Sequence, residues 1–181
     1  VRLAELVTRA PLSPEMQVVG LALEARSRTA FRAEVLRRML GWLEADAGCC
    51  HQFFPTIAPP EEHVGEGIDP AAFARMIEHW EEYGPQFQPI AQAASLAGGV
   101  AVDTHVYSPT ERSRLSLYAD IGGPERYRET VCCSLPLGDA SGAILCLIRT
   151  ASNRAPFTAQ TVASARALLP VVTLGDALLA R

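Results

Sequence analysis

The chain has 181 residues, of which 49% are hydrophobic and 20% charged, a size and composition typical of one globular domain with its own core. Its formal net charge is −4, and all 16 basic residues are arginines, which argues against a protein that binds nucleic acid through a basic face. The five cysteines include two adjacent pairs, which excludes the disulfide framework of a small secreted protein. The chain opens with no signal-peptide pattern, and its uninterrupted apolar runs are far shorter than the roughly 20 residues that span a bilayer. We therefore expect a cytoplasmic protein without membrane contact.

Four segments begin with residues that favour a helix N-terminus. A side-chain oxygen at the cap accepts a hydrogen bond from a free backbone N–H, and proline is well tolerated at the next position. The predicted caps are Ser13, Asp69, Ser108 and Thr158. Apolar residues recur with helical spacing over 29–45, 70–83 and 159–180, which predicts amphipathic helices there.

Strand patterns occupy 48–54 and 99–107 and then the two sides of the turn GDASG at 138–142. The two strands of this hairpin, 130–137 and 142–150, are apolar at nearly every position, so both of their faces should be covered. We predict an α+β fold in which the first and last helices pack on one face of an antiparallel sheet. The middle segment, roughly 56–129, then closes over the other face.

We interpret residues 1–181 as a single domain. It begins with N-terminal helices over 1–45 and continues with the sheet and its inserted helices over 46–156. A C-terminal helix over 157–181 completes it.

The last 75 residues, from Tyr107 onward, contain the motifs HVYSPTERSRLSLYADIG and SLPLGDASGAILCLIRTASNRAPFTAQTVASARALLPVVTLGDAL. They resemble the GAF-type sensory domains that precede the DNA-binding module of bacterial LuxR-type transcription regulators. The matching positions are Tyr118, Asp120, Leu145 to Arg149, Phe157, Thr158 and Leu168 to Pro170. The resemblance implies a ligand-sensing, dimerising domain with no chemistry of its own. It also implies a helix-turn-helix module beyond Arg181 as the part that contacts DNA.

Seven residues are predicted to line an effector site between the sheet and the middle segment, because ligand sites are lined by aromatic side chains with a few polar groups. They are Phe54, Trp80, Phe87, His105, Tyr107, Tyr118 and Cys133. The sequence contains no G-x-S-x-G, no H-E-x-x-H and no phosphate-binding glycine loop. We therefore predict no enzymatic activity, no cofactor and no metal.

The cysteines allow a second hypothesis, a thiol- or metal-responsive redox sensor or a thiol enzyme on the same fold. If Leu137 pairs with Ala143 across the hairpin, Cys132 becomes the diagonal neighbour of Cys146 on one face. None of the spacings is the C-x-x-C of a zinc site, and free cysteine often serves as a small apolar core residue.

The adjacent residues Cys49 and Cys50 point to opposite faces of their strand, so only one of them can join the pair of Cys132 and Cys146. A third hypothesis is a dimerisation module without a ligand.

Overall fold

The computed structural model describes residues 12–54, 62–121, 127–138, 141–153 and 155–180. The helices are α1 (Pro14–Glu24), α2 (Arg28–Trp42), α3 (Pro70–Glu78), α4 (Trp80–Leu96), α5 (Asp103–Val106), α6 (Pro109–Arg112), α7 (Ser116–Ile121) and α8 (Ala159–Leu178). The strands are β1 (Ala47–Phe54), β2 (Val64–Glu66), β3 (Val100–Val102), β4 (Tyr127–Gly138) and β5 (Ser141–Thr150).

The five strands form one antiparallel sheet in the order β2-β1-β5-β4-β3. The longest strands, β4 and β5, form the predicted hairpin and lie inside the sheet, where each has neighbours on both sides. The α+β class and the antiparallel sheet are confirmed.

One face of the sheet is covered by α1, α2 and α8, the first and last helices, as predicted. Their apolar side chains meet those of the strands in a cluster that we call the helix-side core. Its members include Val18, Phe31, Leu36, Met39, Cys50, Cys133, Leu145, Leu147, Leu168 and Val172.

The other face is covered by the middle segment, chiefly α3, α4 and α7. We call this second cluster the cavity-side core. Its buried members are Cys49, Met76, Tyr83, Phe87, Ile90, Leu117, Tyr118, Cys132, Ile144 and Cys146. The prediction that the middle segment closes over this face is confirmed.

The predicted caps are present at all four helix starts. Ser13 accepts a hydrogen bond from the backbone of Met16, and Asp69 accepts two from the first turn of α3. At α6 the cap is reciprocal: Ser108 and Glu111 each bind the other's backbone N–H. Thr158 caps α8.

The predicted strand 99–107 is wrong beyond Val102. Along β3 the backbone pairs with β4 as far as Val102 opposite Val131. At the next position the carboxylate of Asp103 accepts the N–H of Thr130 at 2.9 Å. The Asp103 side chain thus takes the Thr130 N–H, which a longer β3 would bind through its backbone. The chain therefore leaves the sheet and turns into α5.

The predicted helix 70–83 is also corrected, because α3 ends at Glu78 and a second helix, α4, runs from Trp80 to Leu96. Two prolines, Pro85 and Pro89, lie inside α4. A proline has no backbone N–H and so removes a helical hydrogen bond. For this reason a proline in the sequence normally predicts the end of a helix. The buried face of α4, which packs on the sheet, offsets that loss.

The hairpin register differs from the predicted one by two residues. Ala143 pairs with Leu135 instead of Leu137, because Gly138 pairs with Ser141 at the tip and the register shifts once more between Pro136 and Gly138. As a result Cys132 lies directly opposite Cys146 and is not its diagonal neighbour.

Helix α8 is joined to α2 by a buried ion pair. The guanidinium of Arg32, 2% exposed, donates to both carboxylate oxygens of the fully buried Asp176, at 2.6 and 3.1 Å. A further N–H of Arg32 binds Gln52 on β1 at 3.1 Å, and Arg28 lies 3.3 Å from Asp176. By length and composition α8 could cross a membrane, but here it carries this buried carboxylate and packs into the helix-side core.

We expect Asp176→Asn to lower the free energy of unfolding by about 3 kcal/mol, because it leaves the Arg32 charge buried without its counter-ion. Urea unfolding at pH 7 measures the loss. The control is Glu34→Gln on the same α2, which removes ion pairs with the solvent-exposed Arg37 and Arg38 and should cost less than about 1 kcal/mol. Equal losses in the two variants would contradict a structural role for the buried pair.

Candidate functional site

A small cavity of about 40 Å³ lies within the cavity-side core. Its floor is the sheet, where Cys49, Thr130, Cys146 and Ile148 face inward from three neighbouring strands. The period of two in a strand brings these residues to the same face. The floor is therefore mainly apolar and sulfur-rich.

The roof of the cavity comes from α3 and α4. Phe73 and Met76, three positions apart on α3, point down together with Phe87 and Ile90 of α4. Behind them the Trp80 ring stacks on Phe87 with centroids 5.4 Å apart. The roof is thus a layer of aromatic and flexible apolar side chains.

Gly84 fixes the position of the Trp80 ring. A Cβ atom on this residue would lie 2.7 Å from the indole nitrogen of Trp80, one turn earlier on α4. Only glycine leaves room for the indole against the helix backbone, which turns the ring toward Phe87. A larger residue at position 84 would push the ring out of the roof.

One side wall is Tyr118 on α7, and a buried carboxylate holds it. The Tyr118 hydroxyl donates to Asp103 at 2.6 Å, and Arg112 lies 3.1 Å from the same carboxylate oxygen. The Arg112 guanidinium also lies 4.7 Å above the Tyr118 ring. One cation–π contact and one charge-assisted hydrogen bond therefore set the orientation of this wall.

Burial raises the pKa of Asp103, while the hydrogen bonds from Tyr118 and Thr130 and the charge of Arg112 act in the opposite direction. Burial and the neighbouring carboxylate also raise the pKa of Tyr118. The phenol therefore stays protonated and continues to donate to Asp103. The wall is a fixed polar anchor behind an apolar surface.

Two histidines lie beyond Phe73, beside the cavity. The Nδ1 atoms of His51 and His63 are 3.0 Å apart, and both residues are buried. The His51 ring is 5.3 Å from the Phe73 ring and 6.1 Å from that of Trp80. Burial, and secondarily the neighbouring His63, lowers the pKa of His51 to about 3.

The seven residues predicted for the site fall in several places. Phe87 and Tyr118 line the cavity, and Trp80 lies behind Phe87. Tyr107 packs at the edge of the cavity-side core, and its hydroxyl donates to the backbone carbonyl of Gln86 at 2.8 Å.

The other three predicted residues are not seen at the cavity. His105 is exposed on α5 and faces a separate groove beside Phe157. Cys133 points into the helix-side core, so its neighbour Cys132 is the cysteine of β4 on the cavity face. The side chain of Phe54 lies outside the described residues.

Several residues at or beside the cavity are not among the residues predicted from the sequence; Phe73, Met76 and Asp103 are examples. Phe73 and Met76 carried a signal, since they belong to the apolar stripe predicted for 70–83. Asp103 also has a signal in the sequence, because it is a lone acidic residue directly after an apolar strand. A carboxylate at this position can bind a backbone N–H of the neighbouring strand and so end the strand pairing. Among the residues that the structure describes, no group of three or more His, Cys, Asp or Glu side chains has the arrangement of a metal site.

Comparison with family models and with curated protein sequences gives no match. In structure the chain is similar to the VqsR LBD domain from Pseudomonas aeruginosa, with a TM-score of 0.62 and 17% identity over 93% of this chain and 97% of that chain. It is also similar to CepR2 from Burkholderia cenocepacia, an N-acylhomoserine lactone-dependent LuxR family transcription factor. That TM-score is 0.60, with 12% identity over 92% of this chain and 93% of the other.

A third similar structure is the GAF domain/HD domain protein from Geobacter sulfurreducens, with a TM-score of 0.50 and 12% identity over 94% of this chain and 95% of that chain. At these identities the likeness is one of fold. The fold is GAF-like and is shared with the VqsR LBD domain and with CepR2, which confirms the fold that the resemblance in the C-terminal motifs implies.

The buried histidine predicts a dependence of stability on pH. The folded protein keeps His51 neutral down to pH about 3, whereas the unfolded chain takes up a proton near pH 6.5. The stability from this difference is therefore complete above pH 6.5 and is lost as the pH falls. We expect His51→Gln to remove about 2 kcal/mol of the loss that the wild type shows between pH 6.5 and pH 5.

Urea unfolding over this pH range makes the comparison. The control is His79→Gln, at an exposed position between α3 and α4, which should retain the pH dependence of the wild type. An unchanged pH dependence in His51→Gln would contradict the assignment.

Proposed function

We propose that this chain is the effector-sensing and dimerisation domain of a cytoplasmic bacterial transcription regulator, with residues 1–181 as one sensor domain. The observation that carries the proposal is an apolar cavity between the sheet and a separate helical layer, in a fold shared with LuxR-type sensory domains. In this proposal the domain performs no catalysis and reaches DNA only through a helix-turn-helix module. The effector is a small apolar molecule, and N-acylhomoserine lactones are the first class to test because the similar CepR2 depends on one.

The size of the cavity supports a mechanism based on movement of the roof. Ligand sites commonly enclose about 300–1,000 Å³, whereas this cavity of about 40 Å³ has room for only a few water molecules. An effector therefore binds a form in which α3 and α4 have moved away from the sheet. Binding shifts the population toward that form, and the change reaches the terminal helices through the sheet between them.

The walls indicate which groups the effector carries. The floor and roof offer sulfur, aliphatic and aromatic surface, so most of the molecule is apolar. The Tyr118 hydroxyl hydrogen is already donated to Asp103, so its oxygen can only accept a further hydrogen bond. We infer an effector with a compact apolar body and few polar groups.

The dimerisation part of the proposal rests on an apolar surface formed by α1 and α8, which pack against each other on the helix-side core. Just before α1 and along it, exposed apolar residues recur three and four positions apart, and two more are one turn apart on α8. They are Leu12, Met16, Val19, Leu23, Leu174 and Leu178. An exposed stripe of this kind on the terminal helices fits a second copy of the same chain.

Native mass spectrometry of the purified protein, set beside its denatured mass, tests effector binding directly. We expect an excess mass equal to an organic molecule, or a shift in melting temperature when a panel of N-acylhomoserine lactones is added. A ligand at 100 times its Kd adds about 2.7 kcal/mol, which is roughly 5–10 °C for a domain of this size.

The variant Met76→Trp should fill the cavity and reduce the ligand-induced shift, at an overpacking cost of about 1–3 kcal/mol. The control is Leu96→Trp, which places the same ring at a position 83% exposed at the end of α4. Circular dichroism checks that both variants fold. A bare protein with no response to the panel would contradict the effector proposal and favour a dimerisation module without a ligand.

For the dimer, we expect the wild type to sediment as a dimer and the double variant Met16→Glu with Leu174→Glu to sediment as a monomer. Buried carboxylates at the centre of an apolar interface cost far more than the contacts they replace. Leu96→Glu provides the control, since it places a charge on an exposed leucine at the end of α4, which is not one of the residues of this apolar surface. A wild-type monomer at all concentrations, or a double variant that stays dimeric, would overturn this surface.

A further inference from the structure

Three cysteines form a row across the floor of the cavity. Cys146 on β5 is paired in register with Cys49 of β1 on one side and with Cys132 of β4 on the other. The Sγ atoms of Cys132 and Cys146 are 3.4 Å apart, and Cys49 lies next to Cys146 on its other side. One cysteine thus has two thiol neighbours, and all three residues belong to the cavity-side core.

These contacts make the central sulfur different from the outer two. The contact with Cys132, and secondarily the neighbouring Cys49, lowers the pKa of Cys146 against the effect of burial. The proximity of Cys146, together with burial, raises the pKa values of Cys132 and Cys49. Since the thiolate is the reactive form of cysteine, the row concentrates nucleophilic character on Cys146.

The cysteines of the row differ from the other two cysteines in their position relative to the cavity. Cys146 and Cys49 line the cavity, which has room for a molecule of about the size of water beside them. Cys50 and Cys133 are next to them in sequence but point into the helix-side core. The chain therefore holds a reactive row and a matched shielded pair on opposite faces of the same strands.

We propose that Cys132 and Cys146 are a peroxide-responsive thiol pair that closes reversibly to a cross-strand disulfide. Residues directly opposite on antiparallel strands have Cα atoms about 4.5–5.5 Å apart, within the range of about 4.4–6.8 Å that a disulfide bridges. The sulfur atoms are already in contact, so closure needs rotation about side-chain bonds and little movement of the backbone. The thiol pair is formed by the sheet itself and needs no effector in the cavity.

The chemistry takes place in two steps with hydrogen peroxide as oxidant. The Cys146 thiolate attacks one peroxide oxygen, the O–O bond breaks, and the departing hydroxide takes a proton to leave as water, which gives a sulfenic acid. The sulfur of Cys132 then loses its proton and attacks the sulfur of Cys146, and the sulfenic hydroxyl leaves as a second water. Two thiols and one peroxide become one disulfide and two waters.

The test treats the folded wild-type protein with hydrogen peroxide, then denatures it in excess N-ethylmaleimide and maps the peptides by mass spectrometry. We expect the number of alkylated cysteines to fall from five to three, with a peptide that links Cys132 to Cys146. Dithiothreitol should restore all five. The link should form at least tenfold faster than any oxidation of Cys50 or Cys133.

Cys133→Ala is the matched control, because it removes the neighbouring thiol of the same strand and should leave the link unchanged. Cys132→Ala should abolish the link and leave Cys146 as a sulfenic acid, which dimedone traps when the treated protein is denatured in its presence. Three results would overturn the proposal: five free thiols after treatment, equal oxidation of Cys50 and Cys133, or a link between Cys49 and Cys146 in place of the predicted one.

Discussion

The two central strands, β4 and β5, are apolar on both faces, so other elements must cover both sides of the sheet. The terminal helices cover one face and the inserted helices α3, α4 and α7 cover the other, so the sheet separates two apolar clusters. Side chains that alternate along one strand therefore belong to different environments. Cys132 and Cys133 are neighbours in the chain, yet one lies at a cavity and the other under the terminal helices.

The two faces differ in how they are held. The helix-side core is closed by a buried ion pair between Arg32 and Asp176, which ties α8 to α2 and, through Gln52, to the sheet. The cavity-side core has its polar contacts at its margins: the carboxylate of Asp103 fixes Tyr118 on one side, and the pair of His51 and His63 lies beyond the roof on the other. Between these margins the side chains of the roof meet the floor through apolar, non-directional contacts. The proposed movement of the roof requires contacts of this kind.

The elements of the fold were largely predictable from local patterns. Capping residues marked the starts of α1, α3, α6 and α8, and the apolar strands on either side of GDASG indicated the central hairpin. Two positions of the C-terminal motif, Arg149 and Phe157, are in direct contact. The Arg149 guanidinium lies 4.4 Å above the Phe157 ring, which gives this part of the motif a physical basis. These features depend on residues close in the chain or on a pairing set by one turn.

The site was less predictable because its signals are not local. Both faces of β4 are apolar, so no alternation in the sequence shows that Cys132, and not the predicted Cys133, belongs to the cavity-side core. The register depended on an irregularity between Pro136 and Gly138 that no turn pattern indicates. The end of β3 depended on Asp103 binding Thr130, a residue 27 positions later. The roof continued through Pro85 and Pro89, where helix patterns predict an end.

The early end of β3 has a consequence for how the molecule meets other chains. In the described part of the chain both outer strands, Val64–Glu66 and Val100–Val102, are three residues long, and each is next to or ends in an acidic residue. An outer strand this short offers few free backbone groups to an incoming strand. These outer strands are therefore poor templates for a foreign strand, although the centre of the sheet is among the most β-prone parts of the sequence. Association is left to helical surfaces, where side chains and not backbone groups select the partner.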